Sequence, residues 1–528
     1  MSAKKVKVAK AGDLEDGQMK AFEVGDDNKI LLSKIGGKFY ATGASCPHYG
    51  APLDRGILSG DRIVCPWHHA CYNARSGDLE EPPSRDSLAS FEVEIDGDDI
   101  YVMIPEEFEG SHTPDMVSFE PEKDDRSFVI IGAGAAGSMA AQTLREDGFK
   151  GQIILLTHED RMPYDRPNLS KDYLQGDAKP EWMPIKDDDF YNKYGIGVMR
   201  KKQVTGVDLK AKEVSIKDDD PVKYDRLLIT TGGDASKLDI PGADLENVFT
   251  LRTYDDSDNI ISACDKAEKA VIIGASFIGM EAAFSLTKRK LKVTVVAPEK
   301  TPFGHVFASE IGELFRQKHE ATGVEFKLEN SVTKIEGDGR AEAVVLGSGD
   351  RIETDMVIMG VGVKPSSDFL EGFGLESDGS IKVDEHFNVA EDVYAAGDIA
   401  SFPYWYTGDT IRIEHWRTAE QQGRYAAHNM LDKKKPFRSI PFFWTAQVGL
   451  QFRHVGFVRD WDDVIVEGDI SRGSFMLFYV KNNKVHAASG IKYDKEIAAV
   501  EELMRQDRMP SPDELKGGSI DLIELARK

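Results

Sequence analysis

The sequence is poor in cysteine, in long apolar runs and in positive charge, and each shortage excludes a class of protein. Only four of its 528 residues are cysteine, too few for a disulfide scaffold, so we expect a reducing compartment. Neither a membrane-spanning apolar run nor the apolar core of a secretory signal occurs, which predicts no membrane span and a cytoplasmic location. The formal net charge is −25, which disfavours nucleic acid as a partner because phosphate binding needs basic faces.

The length predicts several domains, since a single hydrophobic core rarely serves more than about 250–300 residues. Residues 1–108 alternate apolar and polar positions between Gly-Gly and Asp-Gly turns, a pattern typical of a small all-β domain. Residues 109–125 are acidic and have no hydrophobic period. We therefore expect them to form a flexible linker that lets the first domain swing.

Three of the four cysteines lie in one stretch, SCPHYGAPLDRGILSGDRIVCPWHHACYN, which contains the couplets Cys46-x-His48 and Cys65-x-x-His68. A Rieske [2Fe–2S] centre holds one iron with two Cys and the other with two His, so each couplet must give one ligand to each iron. Zinc sites usually pair their thiolates on one knuckle and their imidazoles on another. The spacing favours a Rieske centre with these four ligands. The alternatives are a zinc site, or buried Cys and His side chains that bind no metal.

A glycine-rich turn follows the linker, in SFVIIGAGAAGSMAAQTLREDGFKGQIILLTHED. An apolar strand runs into Gly132-x-Gly134-x-x-Gly137, a helix follows, and a second strand ends near Glu159. Such a turn lets the backbone approach a pyrophosphate at the helix N-terminus, and the acid accepts from ribose hydroxyls. This arrangement predicts a dinucleotide-binding fold.

A second turn of the same kind, Gly274-x-Ser276-x-x-Gly279, predicts a second dinucleotide. The later segment VYAAGDIASF, with Gly397 and Asp398, resembles a second flavin fingerprint, and LLITTGGDASK, with Thr231 and Gly232, resembles the turn that returns the chain to an FAD domain. The order of these motifs predicts an FAD-binding part at 126–250, an NAD(P)H-binding domain at 251–370, a second FAD-binding part at 371–430 and a C-terminal interface domain at 431–528.

Seven separated motifs carry a family resemblance: CPHYGAPL, CPWHHACYN, MPYDRPNLSK, VFTLRTYDD, YAAGDIASFP, IEHW and IPFFWTAQ. The chain resembles the two-dinucleotide flavoprotein reductases of the apoptosis-inducing-factor and oxygenase-coupled ferredoxin reductase group, most closely those with a fused N-terminal Rieske domain. The resemblance implies a multidomain protein. It would have an all-β Rieske domain, an α/β flavoprotein with FAD and NAD Rossmann-like folds, and an α+β C-terminal domain.

The resemblance also assigns residues. Lys171, Glu281 and Trp416 become the catalytic candidates, with Lys171 near the flavin and paired with Glu281. Glu414 is expected near the nicotinamide, with Trp416 and Trp444 near the ring system. The alternatives are an ordinary surface lysine and simple core tryptophans. The full set of expected cofactor-binding residues is Gly132, Gly134, Ala136, Gly137, Glu159, Arg166, Lys171, Val204, Thr231, Gly232, Gly274, Ser276, Gly279, Glu281, Glu299, Gly362, Gly397, Asp398, Glu414, His415, Trp416 and Trp444.

The second strand of the NAD fold ends at Ala297, where NADH-preferring relatives often have Glu. Glu299, two residues later, can take the adenosine ribose, and no Arg stands there for a 2′-phosphate. We expect NADH, while Lys300 leaves NADPH possible.

The expected activity is electron transfer from NAD(P)H through FAD to the [2Fe–2S] cluster and on to an external acceptor. His48 and His68 are the expected exit, because Rieske histidines tend to face solvent. A ferredoxin, an oxygenase component, a cytochrome or a quinone is open as the acceptor, and a monomer or a homodimer as the assembly. The absence of Cys between Cys71 and Cys264 disfavours a flavin disulfide reductase. An NADH-sensing interaction protein with slow turnover is the alternative function.

Overall fold

The computed structural model describes residues 3–25 and 27–528. Met1, Ser2 and Asp26, which belong to the predicted first domain, lie outside the described residues. The helices are α1 Ala135–Glu146, α2 Asp172–Gln175, α3 Asp188–Lys193, α4 Tyr254–Cys264, α5 Phe277–Lys288, α6 Ser309–Glu320, α7 Trp416–Met430, α8 Asp494–Arg505, α9 Pro512–Lys516 and α10 Leu522–Arg527.

The N-terminal part is built from short antiparallel sheets, as its alternating pattern predicts. Two sheets form its base, and their strands are Ala3–Lys10, Asp99–Pro105 and Val93–Asp96 in one and Ser90–Phe91, Lys38–Gly43, Asn28–Ile35 and Met19–Gly25 in the other. A further sheet carries the second Cys-His couplet, and its strands are Ile57–Ser59, Arg62–Val64, Cys71–Asn73 and Leu79–Glu81.

Two mainly parallel sheets follow, and in each the central strand runs into one of the glycine-rich turns. The strands of the first, in spatial order, are Ile196–Met199, Gln152–Leu156, Ser127–Ile131, Arg226–Ile229, Val393–Ala395 and Asn388–Ala390, of which the last pairs antiparallel. Those of the second are Val248–Thr250, Met356–Met359, Lys269–Ile273, Lys292–Val296 and Glu325–Lys327. Both central strands are apolar and almost wholly buried, because helices cover both faces of such sheets. Val248–Thr250 lies just before the predicted NAD(P)H-domain boundary at 251.

Small sheets lie in the same part of the chain and are antiparallel, except that Ile381–Lys382 pairs parallel with Ala400–Pro403. Their strands are Val204–Asp208, Glu213–Ile216 and Val222–Lys223; Gly233–Ala235 and Val363–Pro365; Val332–Glu336, Ala343–Leu346 and Arg351–Glu353; and Ile381–Lys382, Ala400–Pro403 and Thr410–Ile411. The C-terminal part is an antiparallel sheet with α8, α9 and α10, and its strands in spatial order are Phe442–Gln447, Leu450–Gly456, Lys484–Ile491, Ser474–Lys481 and Asp463–Asp469. The predicted fold class is confirmed.

The segment 109–125 differs from its prediction as a free tether. Ser111–His112 pairs antiparallel with Ser87–Leu88 of the first domain. Farther on, the Val117 amide donates to the Arg145 carbonyl at 3.1 Å and the Glu120 amide to the Lys150 carbonyl at 2.9 Å. The expectation of an unpaired, swinging segment is therefore wrong, because its backbone groups find partners that no local pattern in its sequence reveals.

No helix within residues 3–25 and 27–528 has both the length and the apolar character that a membrane crossing requires.

Candidate functional site

Two loops of the same shape present the four predicted metal ligands. In the first loop the Cys46 amide donates to the Ala51 carbonyl at 2.8 Å, and in the second the Cys65 amide donates to the Ala70 carbonyl at 2.9 Å. Both cysteines are buried. The loops therefore deliver Cys46 and Cys65 from matching positions, as two ligands of one metal require.

The four donor atoms divide into a sulfur pair and a nitrogen pair. The Cys65 thiol contacts Cys46 Sγ and lowers the pKa of the Cys46 thiol, while His48 Nδ1 and His68 Nδ1 are 3.1 Å apart. Among the residues that the structure describes, no group of three or more His, Cys, Asp or Glu side chains is arranged to hold a single metal ion. Two separate pairs suit the two irons of a [2Fe–2S] cluster better than the four-ligand sphere of one zinc.

The histidine pair faces the rest of the chain. The ring of His68 lies 4.3 Å from that of Trp444, centroid to centroid, and the ring of His48 lies 6.5 Å from it. His68 is 8% exposed. The prediction that the histidines form a solvent-facing exit is therefore wrong for His68, which Trp444 of the C-terminal sheet covers, while His48 is half-buried.

Tyr49 is a site residue that the sequence analysis missed. Its ring stacks on that of His48 at 4.1 Å, and its hydroxyl donates to the Asp165 carboxylate in the MPYDRPNLSK motif. Asn168 of the same motif contacts the hydroxyl at 3.4 Å. The first cluster loop thus rests directly on the loop assigned to the flavin. The position of Tyr49 in the sequence, directly after the predicted ligand His48, is the signal from which its role could have been predicted.

The first glycine turn forms a close backbone cradle. Gly132 has φ +107°, and a Cβ there would lie 2.3 Å from the Thr230 carbonyl oxygen, while one at Gly137 would lie 1.9 Å from the Gly132 carbonyl oxygen. No side chain caps α1 at Gly134, so its first amides can take a phosphate. These residues fit the pyrophosphate of FAD.

The predicted ribose acid and the predicted flavin arginine meet each other. Arg166 Nη2 lies 2.8 Å from Glu159 Oε1, and its Nη1 donates to the Arg252 carbonyl at 2.6 Å. Burial raises the pKa of Glu159, but the Arg166 charge together with the hydrogen bonds from Arg166 and Tyr164 outweighs it, and the pKa is lowered overall. An ionised Glu159 suits an acceptor for ribose hydroxyls.

Lys171 and Glu281 form an ion pair, with Lys171 Nζ 2.8 Å from Glu281 Oε2. Ser170 donates to the same oxygen at 2.5 Å and Thr445 donates to the other at 2.6 Å. Glu281 is buried, and three donors from two segments, 170–171 and the C-terminal sheet, satisfy its charge. Thr445 directly follows Trp444, so this group connects to the histidine pair.

The second flavin fingerprint also brings charges together. The Gly397 amide donates to the Gln422 side-chain carbonyl at 2.7 Å, and Asp398 pairs with Arg252 at 2.9 Å. Glu414 pairs with Arg412 at 2.7 Å, yet burial and the nearby Asp398 raise the pKa of Glu414.

Beside them, His415 caps α7 and its ring lies 4.5 Å from that of Phe443. Trp416, half-buried, is the first residue of α7. The structure therefore places these two predicted residues at the start of one helix.

The second glycine turn repeats the cradle. Gly274 has φ +108°, and a Cβ there would lie 2.3 Å from the Gly360 carbonyl oxygen, while one at Gly279 would lie 2.2 Å from that of Gly274. Ser276 precedes α5 without a side-chain cap. This turn fits a second pyrophosphate, that of the nicotinamide nucleotide.

Glu299 lies beyond the second strand of this fold, as predicted. One carboxylate oxygen is 3.3 Å from His305 Nε2, and the other is buried without a hydrogen-bond partner. A buried, unpaired acceptor is unfavourable by itself and suits a ribose hydroxyl that donates to it. His305 was not predicted, because an exposed loop histidine carries no sequence signal.

The remaining predicted residues are placed as follows: Ala136 is buried in α1, Val204 begins a strand and pairs with Ile216, Thr231 donates to the Ser366 carbonyl at 2.8 Å, and Gly232 and Gly362 have φ of +65° and +108°.

A buried arginine–glutamate contact joins the first domain to the FAD-binding part. Arg85 Nη2 lies 2.7 Å from Glu420 Oε1 on α7 and 3.0 Å from Ser138 Oγ on α1. Both residues are buried. Neither was predicted, because 335 residues separate them in sequence.

Comparisons with known proteins cover all parts of the chain. Three family models match: the pyridine nucleotide-disulphide oxidoreductase model at residues 126–423, the Rieske [2Fe-2S] domain at 4–92 and the reductase C-terminal domain at 442–526. Apoptosis-inducing factor 3 of Homo sapiens is 37% identical over 507 residues, 94% of this chain and 83% of that protein.

Rhodocoxin reductase of Rhodococcus erythropolis is 32% identical over 404 residues, 76% of this chain and 95% of that protein. The crystal structure of the covalent putidaredoxin reductase–putidaredoxin complex aligns with a TM-score of 0.72 and 29% identity, covering 76% of this chain and 99% of that one. These matches confirm the predicted resemblance and the predicted cofactors, namely a [2Fe–2S] cluster, FAD and NADH.

Proposed function

We propose, because the chain belongs to the pyridine nucleotide-disulphide oxidoreductase family and also carries a Rieske domain, that it passes electrons from NAD(P)H to its own Rieske cluster and then to a separate acceptor. Membership of this family establishes that the chain is an FAD-dependent NAD(P)H oxidoreductase. Bound FAD supplies the chemistry that converts a two-electron hydride into single electrons for the cluster.

One observation carries the proposal. The His68 ring lies 4.3 Å from the Trp444 ring, and Trp444 is followed by Thr445, which donates to Glu281 of the ion pair with Lys171. The cluster ligands and the residues assigned to the flavin thus share one continuous set of contacts. Tyr49 adds a second contact between them through Asp165.

We assign roles to the chain's own residues on this basis. Lys171 places a positive charge at the flavin site and Glu281 holds that lysine in position. The two glycine turns bind the pyrophosphates, and Glu159 and Glu299 accept from ribose hydroxyls. Glu414, His415 and Trp416 border the nicotinamide end.

The proposed acceptor is a separate redox protein, such as a ferredoxin or an oxygenase component. Rhodocoxin reductase and putidaredoxin reductase are named after protein acceptors, which supports this class over a quinone or a cytochrome. We place the reaction in the cytoplasm, because the four cysteines are all unpaired and the cluster ligands must stay reduced.

The test is anaerobic titration of the full chain with NADH, followed by electron paramagnetic resonance. We expect the Rieske signal to appear as NADH is added. Cys65→Ser should abolish that signal and still reduce ferricyanide with NADH, because the dye takes electrons from the flavin. A wild-type cluster that dithionite reduces and NADH does not would contradict the proposal and favour the NADH-sensing interaction protein.

A further inference from the structure

The two cluster loops share a backbone position that favours glycine, but only one of them has glycine there. The residue four after each cysteine donates its amide to that cysteine's carbonyl, at 2.9 Å for Gly50 and 3.2 Å for His69. Both have positive φ, +75° for Gly50 and +56° for His69. A Cβ is disfavoured in this region. A histidine at this position therefore needs a compensating interaction.

His69 has such an interaction with the C-terminal domain. Its ring is fully buried and stacks on Phe442 with a centroid distance of 3.8 Å. Its Nδ1–H donates to Oε2 of Glu501 on α8. The second loop thus inserts an imidazole between the C-terminal sheet and its helix.

Glu501 is held from its other side by the helix that borders the flavin site. Arg417 Nη1 lies 2.7 Å from Glu501 Oε1, and Arg417 Nε donates to the Pro82 carbonyl of the first domain at 3.0 Å. Arg417 is buried and follows Trp416 at the start of α7. A His69–Glu501–Arg417 triad therefore joins the residue next to a cluster ligand to the residue next to Trp416.

We propose that this triad is a docking pin that fixes the second cluster loop against the reductase, with His69 as its positioning residue. The inference rests on the proposed function, because it concerns the electron step into the cluster. With the pin in place, that step occurs within a preformed contact. Without it, the other contacts still hold the first domain, but the second cluster loop is no longer fixed against the C-terminal domain and must find its position before each transfer.

The geometry distinguishes a pin from ordinary core filling. A side chain that only fills space has no reason to occupy a left-handed position beside a metal ligand, because glycine adopts that backbone without a steric penalty. The charged partners also matter, since a buried carboxylate held by an arginine and an imidazole fixes orientation more narrowly than apolar contact.

The test uses His69→Gly in the full chain. Glycine suits φ +56°, so the loop and the cluster should be retained, and the Rieske signal of dithionite-reduced protein should keep its intensity and g values. Reduction of the flavin by NADH should be unchanged. The cluster should then be reduced roughly tenfold more slowly, and in a viscosity-dependent manner, because the loop is in its transfer position for only a fraction of the time.

A second measurement does not depend on turnover. Hydrogen exchange of the unreduced full chain should rise in the variant at residues 66–70 and in the strand Phe442–Gln447. His69→Asn, which tolerates the left-handed backbone and keeps a donor, should restore part of the protection and of the rate. His112→Gly, at an exposed histidine of the same part of the chain, is the matched control and should change neither.

Glu501→Ala gives an independent route should His69→Gly lose its cluster, because Glu501 lies in the C-terminal domain and leaves the loop sequence intact. It should reproduce the slow cluster reduction and the faster exchange. Wild-type rates and wild-type exchange in Glu501→Ala and His69→Gly would overturn the pin. If NADH fails to reduce the cluster of the wild-type chain, the proposed function fails, while the exchange comparison still decides the pin.

Discussion

At the scale of single residues, the buried charges of this site are shared between segments that are far apart in the chain. Glu281 takes donors from the adjacent residues Ser170 and Lys171 and from Thr445 of the C-terminal sheet, and Glu420 takes Arg85 from the first domain. A buried carboxylate that loses its cation becomes strongly unfavourable. The stability of a variant that lacks the cation therefore tests the whole contact.

Lys171→Ala should destabilise the protein by about 3 kcal/mol, because it leaves Glu281 buried with hydroxyl donors only. The midpoint of the first urea transition should fall. Lys179→Ala, at an exposed lysine nearby, should leave it in place, and adding Glu281→Gln to Lys171→Ala should recover part of the loss. An unchanged midpoint in Lys171→Ala would return this residue to the role of an ordinary surface lysine.

Glu299→Ala should raise the KM for NADH by about tenfold, since a hydrogen bond to a charged group contributes about 1.5–3 kcal/mol. The KM for NADPH should change much less, so the preference between the two nucleotides should narrow. Steady-state kinetics with ferricyanide measure both. Glu325→Ala, at an exposed acid of the same domain, serves as the control. An equal loss for both nucleotides would argue against ribose recognition by Glu299.

Glu420 should make the stability of the folded protein depend on pH. Burial raises the pKa of Glu420 from 4.5 to about 8 despite the neighbouring Arg85. A folded-state pKa above the unfolded value means that stability is fully present below pH 4.5 and is lost as pH rises towards 8. Glu420→Gln should therefore match the wild type near pH 5 and have the higher melting temperature at pH 8. A variant that melts lower than the wild type at pH 8 would show instead that the ionised pair with Arg85 stabilises the fold.

At the scale of elements, what could be predicted from sequence follows locality. The strands Ser127–Ile131 and Lys269–Ile273 and the helices after them were predictable, because apolar runs, glycine turns and helical periods lie within about 30 residues. The ligand couplets were predictable for the same reason. The orientation of the first domain was not, since it depends on His69 and Glu501, which are 432 residues apart. The histidine exit was wrong for His68 on that account.

The last helix also fixes the first domain. In α10, Leu522 and Ala526 are buried, and the carbonyl of Ala526 accepts from Ser59 Oγ at 2.8 Å, at the end of a strand in the cluster-bearing sheet. Gln506 donates to the same hydroxyl at 3.1 Å. The C-terminal domain therefore holds the first domain from two sides, through α10 and through the pin.

Ala526→Asp should loosen this contact, because it introduces a charge into a buried apolar position, at a destabilisation on the order of 2–4 kcal/mol. Hydrogen exchange should rise in Ile57–Ser59 and in α10. Glu524→Asp, at an exposed position of the same helix, should leave the exchange unchanged. Equal protection in both variants would mean that α10 contributes nothing to docking.

At the scale of the whole molecule, the first domain is docked on the reductase and is not held by a flexible linker alone. Three of its residues contact three different parts of the reductase. Tyr49 contacts Asp165, Arg85 contacts Glu420 on α7, and Ser59 contacts α10. The segment 109–125 is itself paired at Ser111–His112. Continuity of the chain should therefore matter little once the protein has folded.

Cutting the chain tests this expectation. A protease site inserted between Glu122 and Lys123, in an exposed turn, should allow cleavage after folding. The two fragments should elute together on gel filtration, and NADH should reduce the cluster at the rate of the uncut insertion variant, independently of protein concentration. Separation of the fragments, or a rate that falls on dilution, would show that the tether and not the interface holds the cluster in place.

The contact between His69 and Glu501 also fixes when, during synthesis of the chain, the cluster loops can be covered. Domains fold as they leave the ribosome, at about 5–20 residues per second, so the 432 residues that separate this pair correspond to roughly 20–90 seconds of synthesis. The two cluster loops are complete before Phe442 and Trp444 are synthesised, and Glu501 is synthesised last. The cluster loops are therefore accessible to iron and sulfide during synthesis, and the C-terminal domain covers them only when translation ends.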